Sequence, residues 1–138
     1  MIRIALHGAS GRMGQAVEAL LDARFEVVAH LDADSSASDY RAALEACDLV
    51  IDFSTALAMD KLCSALETLP RSLVSGTTGM SGGQMRRLRA LAEKAPVLWS
   101  SNMSLGVTVL KRLIAQASRQ LAEWDLELVE THHRHKVD

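Results

Sequence analysis

Seven residues near the amino terminus, Gly8-Ala9-Ser10-Gly11-Arg12-Met13-Gly14, place a glycine at every third position directly after an apolar run. Glycines in such a turn let the backbone come close to a bound group. The N–H groups that open a following helix then favour an anion such as a pyrophosphate. The spacing is GxxGxxG, one residue away from GxGxxG, and a tight turn without a ligand is the competing reading. Asp32 bears on that choice. It follows the second apolar run, about 20 residues after Gly11, where a dinucleotide-binding unit needs a carboxylate to accept hydrogen bonds from the adenosine ribose. A solvated surface aspartate is the alternative.

The other end of the chain carries Glu130-Thr131-His132-His133-Arg134-His135-Lys136. As a zinc site this run is poor, because His132, His133 and His135 lie too close together to converge simply and no cysteine or carboxylate stands at a zinc-site spacing. A solvated basic tail is one reading, and a site for an anionic substrate is another. Histidine exchanges a proton near neutral pH, and lysine, with an ordinary pKa of ~10.4, can donate one or neutralise a carboxylate.

These residues need elements to hold them. Apolar runs alternate with helical patterns: strands are expected over 2–7, 25–31, 49–53, 72–75 and 97–99, and helices over 15–23, 39–46, 56–69, 81–95 and 107–121. Ser81 with Gln84 forms a capping-box signature. A last strand, alternating apolar and polar, is expected over 126–130. Strands that are apolar on both faces and alternate with helices predict an α/β fold, a doubly wound parallel sheet with a helix over each face. In such a sheet ligands bind outside the carboxyl ends of the strands. The segments after strands three to five are Ser54-Thr55, Gly76-Thr77-Thr78-Gly79 and Ser100-Ser101-Asn102-Met103-Ser104. Helix capping is the expectation for Ser54 and Ser81, but all of these segments fall on one edge. A domain boundary is expected in the Ser/Asn-rich loop, giving a dinucleotide-binding domain over 1–103 and the beginning of a second domain over 104–138.

Composition narrows the classes further. The 138 residues are 49% hydrophobic and 23% charged, with a net charge of -2 and a pI near 6.2, so no basic face for nucleic acid or an anionic membrane is expected. No apolar run approaches the roughly 18 to 20 residues that span a bilayer. Cys47 and Cys63 form no CxxC pair and read as buried free thiols, and Met1-Ile2-Arg3-Ile4 starts as a strand rather than a leader. A cytoplasmic protein is expected.

The segments GASGRMG, VIDFS, VSGTTG, SNMSLGV and ETHHRHKVD, in this order from Gly8 to Asp138, resemble the signature stretches of the 4-hydroxy-tetrahydrodipicolinate reductase family. The resemblance implies a Rossmann-type cofactor domain followed by an α+β substrate domain that also builds a homotetramer. The implied reaction reduces 4-hydroxy-tetrahydrodipicolinate to tetrahydrodipicolinate with NADH or NADPH, in the diaminopimelate route of lysine biosynthesis. By the same carry-over Gly8, Gly11, Arg12, Met13 and Asp32 contact the cofactor, and Gly76, Thr77 and Thr78 lie beside its nicotinamide. Ser101, Asn102 and Met103 line the cofactor cleft at the hinge. His132 acts in proton transfer, Lys136 is the proton donor, and His133 holds a carboxylate of the small dicarboxylate substrate. The family pattern continues beyond Asp138 with a Pro-Ser-Gly-Thr-Ala loop and further strands, so a dinucleotide-binding fragment without turnover is the alternative. NADH is the expected preference, because the stretch Asp32-Ala33-Asp34-Ser35-Ser36 offers two carboxylates and no cation for a 2′-phosphate. Arg12 is the basic side chain that could supply one.

Overall fold

A computed structural model describes residues 1–129 and 131. The chain divides into two compact units, Met1–Ser101 and Asn102–Asp138. In the first unit the elements run β1 (Ile2–His7), α1 (Arg12–Leu20), β2 (Phe25–Leu31), α2 (Ala37–Ala46), β3 (Leu49–Asp52), α3 (Ala56–Thr68), β4 (Ser72–Ser75), α4 (Gly82–Ala92) and β5 (Val97–Trp99). The five strands form one sheet in the order β2-β1-β3-β4-β5, and every pairing is parallel. This is the α/β, Rossmann-type doubly wound sheet that the strand–helix alternation predicts.

Right-handed crossovers fix which face each helix covers. The step from β1 to β2 runs one way along the sheet, and the steps from β2 to β3, β4 and β5 run the other. Hence α1 lies on one face, while α2, α3 and α4 line up on the opposite face, where α3 packs against both of its neighbours. Side chains alternate along a strand, so Ala5, Val50 and Leu73 point to the three-helix face. They meet Leu44 of α2, Met59, Leu62 and Leu66 of α3, and Leu88 of α4 in one buried cluster. Burying a side chain such as Leu62 contributes about 1.5–3 kcal/mol. Ile4 and Leu6, fully buried on the opposite side, serve the α1 face. Cys47 and Cys63 are buried and free, and burial pushes the Cys63 thiol up to about 11.

Helix starts follow their caps. Ser36 and Asp39 form a reciprocal capping box, which starts α2 at Ala37, two residues earlier than the apolar pattern suggests. Ser81 and Gln84 form the expected box at α4. At α3 the cap is Thr55, which accepts from the Ala58 N–H. Ser54, expected to cap, is instead drawn to Asp52. Helix α1 opens directly at the glycine turn with Gly11 as its cap, and it ends by Leu20. Beyond it the Asp22 carboxylate accepts from the Arg24 N–H and guanidinium, a side-chain turn that competes with another helical turn.

The second unit contains α5 (Leu105–Gln120), capped by Ser104. Val107, Leu110, Leu113, Ile114 and Ala117 recur along it at helical spacing. The strand expected over 126–130 does not appear over 126–129, and Glu130 lies outside the described residues. A strand exists through its ladder, and no strand pairs with this stretch among the described residues. Nor is any helix long and apolar enough to cross a membrane among them.

Candidate functional site

The sheet brings the glycine turn, Asp32 and the Gly76–Thr78 segment to its carboxyl-terminal edge. Between β1 and β3 the direction of winding reverses, and a crevice opens there in folds of this kind. The glycine turn sits at that point. Gly8 has φ +79, and a Cβ on it would lie 2.7 Å from the Phe53 carbonyl oxygen, so any other residue is both strained and blocked. A Cβ on Gly14 would run into the Gly8 carbonyl oxygen and the Ala9 backbone. These two positions allow the turn to pass under α1 and against β3.

Helices α2, α3, α4 and α5 each have a serine or threonine side chain accepting from a first-turn N–H. Helix α1 has Gly11 there, with no side-chain cap. Its opening N–H groups therefore face the crevice with the positive end of the helix dipole, which suits a phosphate. Gly11, Arg12 and Met13 are exposed at this end.

Asp32 lies across the turn. Its carboxylate accepts from the Ser10 hydroxyl at 2.9 Å and from the Ser10 N–H at 3.2 Å. One carboxylate offers about four acceptor positions, so Asp32 braces the glycine turn and keeps capacity for a ribose hydroxyl. Lys61 of α3 is the neighbour that the sequence hid. Its ammonium donates to the carbonyls of Ala33 at 2.6 Å and Ser35 at 3.3 Å, which brings a cation from 28 positions away to the loop after Asp32. Beneath that loop a groove of about 840 Å³ opens between α2 and α3, lined by Tyr40, Leu44, Lys61 and Leu69 among others. The glycine turn takes no part in lining it.

Under the edge runs a polar row. His7, Asp52 and Ser75 are register partners on three adjacent strands, and strand alternation turns all of them toward the three-helix face. His7 Nδ1 lies 2.9 Å from Asp52 Oδ1, and the Ser75 hydroxyl donates to Asp52 Oδ2 at 2.6 Å. Ser54 donates to Asp52 through both N–H and hydroxyl. All three register partners are fully buried. Burial alone would raise the Asp52 carboxyl, but the hydrogen bonds from His7, Ser54 and Ser75 outweigh it and hold the group below the usual carboxylate range. The row continues at both ends. His7 Nε2 meets the Tyr40 hydroxyl at 2.8 Å, while the Ser75 hydroxyl accepts from the Thr77 N–H at 3.3 Å and Trp99 Nε1 donates to the Thr77 carbonyl at 2.9 Å.

The amino-acid pattern over residues 2–103 matches the family model described as "Dihydrodipicolinate reductase, N-terminus". The chain belongs to the dihydrodipicolinate reductase family. Relatives of the same kind include a 4-hydroxy-tetrahydrodipicolinate reductase of Campylobacter concisus, 40% identical across the whole of this chain and 58% of its own length. Those of a Sulfurovum species, 39% identical with 59% of its length, and of Campylobacter jejuni, 36% identical with 57%, are matched over the whole chain too. The chain thus spans less than two thirds of these reductases.

Within this member of the dihydrodipicolinate reductase family, Gly8, Gly11, Arg12, Met13, Asp32, Gly76, Thr77 and Thr78 share one edge of one sheet, with Thr77 buried. Ser101 ends the first unit, whereas Asn102 and Met103 belong to the second, where the Asn102 side chain accepts from the Ser104 N–H. His132, His133 and Lys136 lie outside the described residues. His7, Tyr40, Asp52, Lys61 and Ser75 escaped the sequence reading. A histidine and an aspartate closing otherwise apolar strands were the available signal for two of them.

Proposed function

We propose that this chain is the cofactor-binding part of an NAD(P)H-dependent reductase that converts 4-hydroxy-tetrahydrodipicolinate to tetrahydrodipicolinate in the diaminopimelate route. The observation that carries the reading is the uncapped α1 behind the Gly8–Gly14 turn, with the Asp32 carboxylate across it. The residues fit a dinucleotide: the turn accepts a close pyrophosphate, Asp32 accepts from a ribose hydroxyl, and Thr77 is held in place from both sides. When bound, the reduced nicotinamide supplies a hydride. Gly76, Thr77 and Thr78 orient its ring, and the family resemblance assigns Ser101, Asn102 and Met103 to cofactor binding as well. His132 takes part in proton transfer, Lys136 donates a proton, and His133 neutralises a substrate carboxylate. Residues 1–103 form the cofactor domain and 104–138 begin the substrate domain of a cytoplasmic homotetramer with no role in nucleic-acid binding.

A second reading is cofactor binding without turnover. Purified chain is mixed with NADH and the product of dihydrodipicolinate synthase, and absorbance of the reduced cofactor is followed. Loss of absorbance supports the reductase; tight NADH binding with no loss supports the binding fragment; absence of NADH binding removes both. NADH is the preferred cofactor, because Asp32 and Asp34 repel a 2′-phosphate while Lys61 is already engaged with two carbonyls. Parallel titrations test this, and tighter binding of NADPH would assign the compensating cation to Arg12 or Lys61.

A further inference from the structure

The buried row beneath the edge joins loops that the cofactor reading assigns to opposite ends of the dinucleotide. We propose that His7 is a positioning residue that fixes the ribose-side loop at Asp32 and the nicotinamide-side loop at Gly76–Thr78 in one relation, through Tyr40 on one arm and Asp52–Ser75 on the other. The proposal rests on the cofactor reading above.

The direction of each bond follows from the chemistry of the groups. An ionised carboxylate only accepts, so Asp52 takes the His7 Nδ1–H, the Ser75 hydroxyl and both donors of Ser54. With its proton committed to Asp52, the Ser75 oxygen is left to accept the Thr77 N–H. On the other side, His7 Nε2 pairs with the Tyr40 hydroxyl at 2.8 Å. Tyr40 sits on α2, where its hydroxyl donates to the Asp32 carbonyl oxygen at 3.5 Å, and burial with the nearby charges of Asp52 and Asp32 raises the hydroxyl to about 12, so that it keeps its proton. No buried side-chain polar atom is left without a partner among the described residues. Such a closed set resists rearrangement, since removing any one partner strands a buried donor or acceptor. His7 is also the residue immediately before Gly8. His7 therefore joins the glycine turn through its own backbone and the other two loops through Tyr40 and Asp52.

The two ring nitrogens can be separated by substitution. In His7→Asn the amide nitrogen takes the place of Nδ1 and still donates to Asp52, while Tyr40 loses its ring partner. In His7→Gln the amide reaches the place of Nε2 and still pairs with the Tyr40 hydroxyl, while Asp52 loses the donor from His7. Binding of NADH and of ADP-ribose, which lacks the nicotinamide, is measured by calorimetry on the chain and both variants. His7→Asn is expected to weaken both ligands by a similar factor, about fivefold, the scale of one neutral hydrogen bond. His7→Gln is expected to weaken NADH by about tenfold while ADP-ribose stays within about twofold, the scale of a hydrogen bond to a charged group. If either variant lacks a cooperative melt, Tyr40→Phe and Ser75→Ala test the same two arms with the same two expectations. Equal loss of both ligands in every variant, or wild-type affinities throughout, overturns the positioning role and leaves the cofactor reading standing. Failure of the unaltered chain to bind either ligand overturns that reading and the proposal together.

Discussion

The glycines of the first turn differ in what they tolerate. Gly14 has no room for a methyl group, because the obstacle is backbone on both sides, the Gly8 carbonyl and Ala9. Gly14→Ala should cost about 1–3 kcal/mol, the range for overpacked sites, read as a lower urea midpoint, and should reduce NADH affinity as the turn moves. Carboxylates set the acid limit. Asp48 is lowered to about 2 by its hydrogen bonds with the Arg3 side chain and backbone, and Asp52 is lowered by its four donors. Both bind a proton less readily folded than unfolded, so the unfolded chain holds more protons in acid. Their stabilisation is complete above the unfolded carboxyl value of about 4 and is lost as pH falls through the folded values. The urea midpoint should fall steadily below about pH 4; a midpoint level down to pH 3 would contradict it. The glycine turn and Asp32 were legible because each is an unusual residue type at a position that the strand pattern flags. Tyr40 and Lys61 were not, since their roles depend on α2 packing against β2 and on Lys61 of α3 reaching the loop that follows it, a long-range placement that no local spacing encodes.

Caps decide where each helix begins, and Gln84 shows how far one side chain can reach. Its Oε1 accepts from the Ser81 N–H, completing the capping box, while its Nε2 donates to the Ala56 carbonyl and ties the start of α4 to the start of α3. Ser81→Ala removes only the side-chain cap and should cost about 1 kcal/mol. Gln84→Ala also removes the second bond to the Ala56 carbonyl and opens a buried gap, so its loss in chemical denaturation should be the larger of the two. Equal losses would show that the α3–α4 tether carries no energy. Strand limits were readable almost to the residue, because four of the five are short β-rich runs closed by glycine, proline or a charged turn. The stretch 126–129 was misjudged for the complementary reason. Alternation identifies a sequence able to pair, yet pairing needs a neighbour. Ser54 shows the same limit on a smaller scale, where a buried carboxylate two residues away outcompeted the helix end.

For the molecule as a whole, ligand binding and folding are one equilibrium. If the crevice forms only when β1, β3 and β4 are paired, NADH binds the folded chain alone, and a concentration of about 100 times its dissociation constant adds about 2.7 kcal/mol of stability. Thermal melts with and without NADH should therefore separate by several degrees, while adenine alone, which reaches neither the glycine turn nor the Gly76–Thr78 loop, should produce a much smaller shift. Identical melts would mean that the crevice does not select the folded state. The strand order carries a different consequence for the chain as it is made. After β1 and β2 have paired, β3 adds beside β1, β4 beside β3, and β5 beside β4. Every later strand thus joins an edge that is open when it leaves the ribosome, that of β1 for β3 and that of its predecessor for β4 and β5, and no completed pair has to be parted to admit a newcomer.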